Sequence, residues 1–136
     1  MKKILIVEDQ PHVIRVLRLA LERAGFSVAS ALNGEDAWRQ IQHAPPDALI
    51  TDIEMPRMSG RDLCLRIEET FPERTFPIVI MTSRTETEYR EWTRTMSRVS
   101  FLEKPLSLQN LVELLTQLLT EDRTQSETYH ARISAQ

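Results

Sequence analysis

The stretch ALITD, residues 48–52, decides how this chain folds. Its first four residues carry no charge, and Asp52 follows them directly. A short run that does not alternate with polar residues is typical of a central strand covered by helices on both faces. A carboxylate at the end of such a strand lies at the edge of the sheet, where the functional groups of α/β proteins gather. Asp52 is therefore the first candidate site residue.

Strand-like runs of this kind recur five times, and each is followed by a segment with helical spacing. The runs are residues 4–7, 26–31, 48–51, 78–81 and 100–102. This alternation predicts an α/β fold with a five-stranded parallel sheet. The second and fifth runs are more polar, so we place them nearer the edges of the sheet.

Five helices are predicted to accompany the strands. Their boundaries are marked by Gly25 after the first, Asn33 and Ser59 at the start of the second and third, and Ser107 and Thr120 around the last. Residues 86–96 predict a weak fourth helix, because its apolar stripe consists only of Tyr89, Trp92 and Met96. The chain is polar after Thr120, so we predict one domain over residues 1–120 and a polar tail or linker over residues 121–136.

Composition excludes several classes of protein. The chain is 41% hydrophobic and 27% charged, as is ordinary for a soluble globular domain. A net charge of -3 argues against direct nucleic-acid binding, and no apolar run approaches the roughly 18 residues needed to span a membrane. One cysteine, Cys64, cannot form an internal disulfide. Glu8 and Asp9 end the first apolar run too early for a signal peptide, so we expect a cytoplasmic protein.

Polar side chains follow four of the five predicted strands. Glu8 and Asp9 follow the first, Asp52 the third, Thr82 the fourth and Lys104 the fifth. The carboxyl ends of parallel strands share one edge of a doubly wound sheet. One cleft is therefore expected to hold three carboxylates, a hydroxyl and an amine.

Three carboxylates in one cleft repel one another unless a cation offsets their charge. Mg²⁺, or Mn²⁺, suits such a site because it prefers oxygen ligands and retains several waters. Asp9 and Asp52 are the expected direct ligands, and Glu8 is expected to act through water. With the metal and Lys104 offsetting the charge of a phosphoryl group, Asp52 could attack phosphorus and Thr82 could hydrogen-bond the product.

These residues and their order resemble the receiver domain of two-component response regulators, over residues 3–120. The resemblance implies a flavodoxin-like, doubly wound fold with strand order 2-1-3-4-5. It also implies Asp52 as the phosphoacceptor, the Glu54 backbone carbonyl as a metal ligand, Thr82 and Phe101 as switch residues, and a cis peptide bond between Lys104 and Pro105. Pro56 and Gly60 also match the loop that follows the acceptor. The sequence departs from the family at residues 96–100, where Met-Ser-Arg-Val-Ser replaces a small Gly-Ala pair.

The function implied by this resemblance is a phosphorylation switch rather than a turnover enzyme. Receivers of this kind assist their own phosphorylation and hydrolysis. The expected donor is a histidine kinase or a histidine phosphotransfer protein. The responding surface is expected on the fourth helix, fifth strand and fifth helix, where a homodimer or an output partner would bind.

Three other functions fit the sequence less well. A haloacid-dehalogenase-type phosphatase also uses an aspartate at the end of a strand as its nucleophile. Its motif has a second aspartate two residues later, where this chain has Glu54. Its nucleophile also follows the first strand, whereas Asp52 follows the third. A nucleotide-binding module would need a glycine-rich phosphate loop, and neither common motif occurs among three glycines. An unphosphorylated scaffold would not require Asp9, Asp52 and Lys104 together.

The lifetime of the phosphoryl group is predicted to depend on Glu54 and Arg84, which lie two positions beyond Asp52 and Thr82. If the two side chains pair over the cleft, they obstruct the attacking water. Glu54→Ala and Arg84→Ala should each speed phosphate release, and the double variant should not add the two effects. A barrier change of about 1.4 kcal/mol corresponds to a tenfold rate change, which a phosphate-release assay resolves. Equal rates of phosphate release in the wild type and all variants would contradict this role of Glu54 and Arg84.

Overall fold

The structure is a computed structural model that describes residues 1–83, 91–94 and 96–120, and the backbone of residues 132–133. Strands and helices alternate along the described chain except between β4 and β5. They are β1 Lys3–Val7, α1 Pro11–Arg23, β2 Ser27–Ala31, α2 Gly34–His43, β3 Ala48–Asp52, α3 Gly60–Thr70, β4 Ile78–Thr82, β5 Val99–Glu103, α4 Leu108–Thr120 and β6 Arg132–Ile133.

All strand pairs are parallel, and the sheet order is β2-β1-β3-β4-β5-β6. The predicted α/β class and the order 2-1-3-4-5 are therefore confirmed. The sheet has one strand beyond the five predicted, because Arg132 and Ile133 pair with Phe101 and Leu102. Strand β5 would otherwise present unpaired backbone groups along its outer edge.

Helices cover both faces of the sheet. One apolar cluster joins it to α2 and α3 through Ala37, Ile41, Leu63 and Ile67. A second cluster joins the opposite face to α1 and α4, and includes Ile14, Leu17, Leu21, Leu111, Leu115 and Leu118. Every residue of β3 and β4 is buried. This two-sided burial explains why the central runs of the sequence do not alternate with polar residues.

Polar caps start the helices at the predicted places. The Asn33 side chain accepts a hydrogen bond from the Asp36 amide at 2.8 Å, and Ser59 accepts one from the Asp62 amide at 3.1 Å. Ser107 accepts one from the Asn110 amide at 3.2 Å. Each side-chain oxygen satisfies an amide that has no partner within the helix. The caps thereby fix where α2, α3 and α4 begin.

The described part of the chain forms four helices, and the predicted fifth cannot be assessed in full. Residues 86–90 and 95 of the weak helix lie outside the described residues, and residues 91–94 form a turn. Met96 is buried, and Trp92 packs against the core. Among the described residues, no helix is both long and apolar enough to cross a membrane.

Arg74 holds the segment that leads into β5. Its guanidinium is almost fully buried, pairs with Glu68 at 2.7 Å and donates to the carbonyl of Phe76. It also donates to the carbonyl of Ser97. The departure from the family pattern at residues 96–100 is thus accommodated by burial of Met96 and by this contact at Ser97.

Candidate functional site

The candidate site lies at the carboxyl edge of the sheet. Glu8 and Asp9 follow β1, Asp52 ends β3, Thr82 ends β4 and Lys104 follows β5. The parallel register places Asp52 beside Met81, the residue before Thr82. The sheet therefore gathers residues that are up to 96 positions apart, as the difference between positions 104 and 8 shows.

Three carboxylates form the centre of the site. Glu8, Asp9 and Asp52 each offer an oxygen, and these oxygens lie within 4.8 Å of one another. Glu8 is 1% exposed and Asp52 is 8% exposed, whereas Asp9 is not buried. Hard divalent cations bind carboxylate oxygens, so this set of oxygens fits such a cation. Two of the three carboxylates are also buried, where water offsets their charge less well.

Both oxygens of Asp52 are held in place. Oδ1 accepts a hydrogen bond from the Ile53 amide at 2.8 Å, and Oδ2 accepts one from Lys104 Nζ at 2.9 Å. The charged partner and the backbone donor together orient the carboxylate. The sequence does not identify the Ile53 amide as the donor to Asp52, because every residue other than proline carries a backbone amide.

The backbone of Lys104 is fixed by the sheet. Its amide donates to the Thr82 carbonyl at 2.9 Å, which extends the pairing of β4 and β5 by one residue. The peptide bond between Lys104 and Pro105 is cis. This anchoring places the ammonium group beside Asp52, although the two residues are 52 positions apart.

The two candidate switch residues lie in different surroundings. Thr82 is buried at the end of β4, next to the carboxylates along the edge of the sheet. Phe101 is 6% exposed and packs in the core cluster between the sheet, α2 and α3. The Phe101 side chain therefore lies inside the core.

The loop after Asp52 is closed by Gly60. The Gly60 amide donates to the Ile53 carbonyl at 2.7 Å. A Cβ atom at position 60 would lie 1.9 Å from the Asp52 carbonyl oxygen, so a larger residue would displace the candidate nucleophile. Glu54 lies in this loop and is exposed, whereas Arg84 lies outside the described residues. Their predicted pairing is therefore untested.

Glu8 is the most perturbed carboxylate of the site. Burial, contact with the Asp9 carboxyl and the charge of Asp52 together raise the pKa of Glu8 from 4.5 to about 7, against smaller lowering effects of the Gln10 amide and Lys104. Oε2 accepts from the Gln10 amide at 3.1 Å, and Oε1 is buried without a hydrogen-bond partner among the described residues. An unpartnered buried oxygen beside two other carboxylates fits the presence of a cation or its bound water.

Comparison with known sequences gives one family. A model of the response regulator receiver domain matches residues 4–116. The phosphate regulon transcriptional regulatory protein PhoB of Rhizobium meliloti is 32% identical over 117 residues, which cover 86% of this chain and 52% of that protein. Response regulator MprA of Mycobacterium bovis is 31% identical over 134 residues, covering 97% of this chain and 57% of that protein. The chain spans about half the length of these two curated relatives.

Solved structures give the same fold. The receiver domain of a histidine kinase from Syntrophus aciditrophicus has a TM-score of 0.81 at 30% identity and covers 95% of this chain and 98% of its own. Chemotaxis protein CheY4 of Vibrio cholerae has a TM-score of 0.78 at 26% identity, covering 87% and 98%. Response regulator protein TrrA of Thermotoga maritima, solved with Mg²⁺ and BeF, has a TM-score of 0.75 at 28% identity, covering 87% and 99%.

The raised pKa of Glu8 predicts how the metal-free protein responds to pH. Between pH 4.5 and about 7 the folded state binds a proton at Glu8 that the unfolded state does not, so the free energy of unfolding should rise as the pH falls through this window. At pH 8 the glutamate is ionised in both states, and Glu8→Gln should be the more stable protein by roughly 1 to 3 kcal/mol. Urea denaturation with a chelator at pH 5 and pH 8 measures both effects. A difference between the two proteins that did not change with pH would contradict this explanation.

Proposed function

This chain belongs to the response regulator receiver domain family, and from that premise we propose that it is a signalling switch phosphorylated on Asp52. The observation that carries the proposal is the environment of this carboxylate. Asp52 is buried, both of its oxygens are held by donors, and oxygens of two further carboxylates lie within 4.8 Å. A nucleophile fixed beside a cation site is what phosphoryl transfer requires.

The residues present fit a divalent cation, and Mg²⁺ is the ion we propose, with Mn²⁺ as a substitute of the same charge. Asp9 and Asp52 would bind it directly, together with the backbone carbonyl of Glu54, and Glu8 would bind through water. When bound, the ion supplies positive charge that offsets the charge of the phosphoryl oxygens. The structure of TrrA with Mg²⁺ and BeF supports this choice by similarity.

The chain's own groups account for the transfer step. An oxygen of Asp52 attacks the phosphorus of a phosphohistidine, so that an O–P bond forms while the N–P bond breaks and the imidazole leaves. Lys104 starts 2.9 Å from Asp52 and can follow the charge onto the phosphoryl oxygens. Thr82, buried at the end of the neighbouring strand, would then hydrogen-bond the product.

The proposed donor is a histidine kinase or a histidine phosphotransfer protein, and the chain undergoes one transfer rather than turning over a substrate. The haloacid-dehalogenase alternative is not favoured, because Asp52 ends the third strand and the residue two positions later is the exposed Glu54. Several of the most similar curated relatives are named response regulators or transcriptional regulators. The activities that these names state belong to the relatives.

Phosphorylation is also proposed to act on the fourth helix predicted over residues 86–96, together with β5 and α4, which correspond to the predicted fifth strand and fifth helix. Phe101 already packs in the core, so the phosphoryl group would stabilise this rotamer rather than create it. Thr82 and Phe101 belong to adjacent strands, which pair through Ile80 and Phe101 and through Thr82 and Glu103. A displacement of Thr82 can therefore be transmitted to β5 through the continuous backbone pairing of the two strands. A homodimer or an output partner would read this surface.

Labelling with acetyl phosphate tests the phosphoacceptor. With Mg²⁺ the protein should gain one acid-labile phosphoryl group by intact mass, and Asp52→Asn should not, because an amide is not a nucleophile of this kind. Asp62→Asn removes an exposed aspartate of α3 and should be labelled normally. Asp9→Ala should lose labelling through weaker Mg²⁺ binding, whereas Lys104→Ala should bind Mg²⁺ almost normally. Full labelling of Asp52→Asn would refute the assignment.

Hydrogen exchange tests the switch. Beryllofluoride with Mg²⁺ should change amide protection over residues 84–101 more than in α1, because only the former segment connects Thr82 with Phe101. Thr82→Ala should reduce this difference while leaving the exchange of α1 unchanged. Equal changes in both regions, or none, would exclude this route of response.

A further inference from the structure

The loop of residues 53–59 is tied to the protein at both ends. At its start, the Gly60 amide donates to the Ile53 carbonyl at 2.7 Å. At its far end, the Gly34 amide donates to the Met58 carbonyl at 3.0 Å. Glu54, whose carbonyl is the proposed metal ligand, lies between these two attachments. The position of that carbonyl therefore depends on α2 as well as on α3.

The contact at Gly34 is too close for any side chain. A Cβ atom there would lie 2.2 Å from the Met58 carbonyl oxygen and 2.7 Å from the Met58 Cβ. The nearest obstacle is backbone, so the loop itself would have to move to admit even a methyl group. Gly34 is thus needed for close approach rather than for an unusual backbone angle.

The start of α2 is built to make this contact. Gly34 is the first helical residue, and its amide is one of those that lack a partner within the helix. The Asn33 side chain satisfies the Asp36 amide, and the Met58 carbonyl satisfies that of Gly34. The helix terminus and the loop therefore complete each other's hydrogen bonding.

An ion pair lies beside this backbone contact. Arg57 has a left-handed backbone with φ of 63°, and its guanidinium lies 3.1 Å from Glu35 Oε1. The two side chains are 63% and 50% exposed, so the pair adds little stability. It links the loop to the second residue of α2, next to the hydrogen bond between Gly34 and Met58.

We propose that Gly34 and Glu35 are positioning residues for the metal-binding loop, which they act on through Met58 and Arg57. The start of α2 would fix the Glu54 carbonyl relative to Asp52, and so set the affinity for Mg²⁺. This inference rests on the function proposed above, in which that carbonyl and Asp52 hold the ion.

Gly34→Ala tests the backbone contact. Displacing Met58 should weaken Mg²⁺ binding about tenfold or more, the size usual for residues that orient metal ligands. Isothermal titration calorimetry on the unphosphorylated protein measures the affinity, and urea denaturation measures stability. Ala37→Gly lowers the stability of the same helix at a buried position and leaves the contact of Gly34 with the Met58 carbonyl unchanged, so its Mg²⁺ affinity should match the wild type. Equal affinity in Gly34→Ala and Ala37→Gly would overturn the proposal.

Charge exchange tests the ion pair and does not depend on the behaviour of Gly34→Ala. Glu35→Arg and Arg57→Glu should each weaken Mg²⁺ binding by up to about fivefold, as expected for an exposed pair. The double variant should recover most of the affinity, and Arg39→Glu, which disrupts an exposed pair with Asp36 on the same helix, should have no effect. Additive losses in the double variant would overturn the role of the pair.

The wild-type protein in the same series separates two kinds of failure. If it binds no Mg²⁺ and Asp52 is not labelled, the proposed function fails and the positioning role fails with it. If the wild type binds Mg²⁺ and is labelled, and the Gly34, Glu35 and Arg57 variants have the same Mg²⁺ affinity, only the positioning role is overturned.

Discussion

Mutual repulsion among three carboxylates is the constraint on which the rest of the structure depends. Glu8, Asp9 and Asp52 bring their oxygens within 4.8 Å of one another, and two of these residues are buried. The arrangement is costly without a cation, as the pKa of Glu8 near 7 indicates. The apolar clusters on both faces of the sheet must hold the three strand ends in place against this repulsion. The chemistry of the site is therefore supported by the stability of the core.

The surrounding groups limit the repulsion without abolishing it. Lys104 offsets the charge of Asp52, and the Ile53 and Gln10 amides each satisfy one carboxylate oxygen. One oxygen of Glu8 is left without a hydrogen-bond partner among the residues that the structure describes. The site thus retains the capacity for one further positive group, which is the role proposed above for Mg²⁺.

Glycine contacts connect this electrostatic centre to the helices. Gly60 packs on the backbone of Asp52 at the start of α3, and Gly34 packs on Met58 at the start of α2. Both contacts are possible because glycine lacks a Cβ, and both occur at a helix start, where the amides have no acceptor within the helix. The loop that carries Glu54 is consequently held by the two helices of one face of the sheet.

The sequence by itself determined the α/β class, the central strands, the helix caps and the residues that end the strands. These follow from local properties: two-sided burial removes polar alternation from residues 48–52, and Asn33, Ser59 and Ser107 each satisfy an amide three positions away. Only the tertiary structure decided which backbone groups hold Asp52, that Glu8 is almost fully buried, that Phe101 lies in the core and that residues 132–133 pair with β5. It also decided that Gly34 meets Met58 across 24 positions of the chain, the difference between 58 and 34. The physical reason is that such contacts depend on the distance between elements remote in sequence, which the packing of the whole sheet sets and which no local pattern encodes.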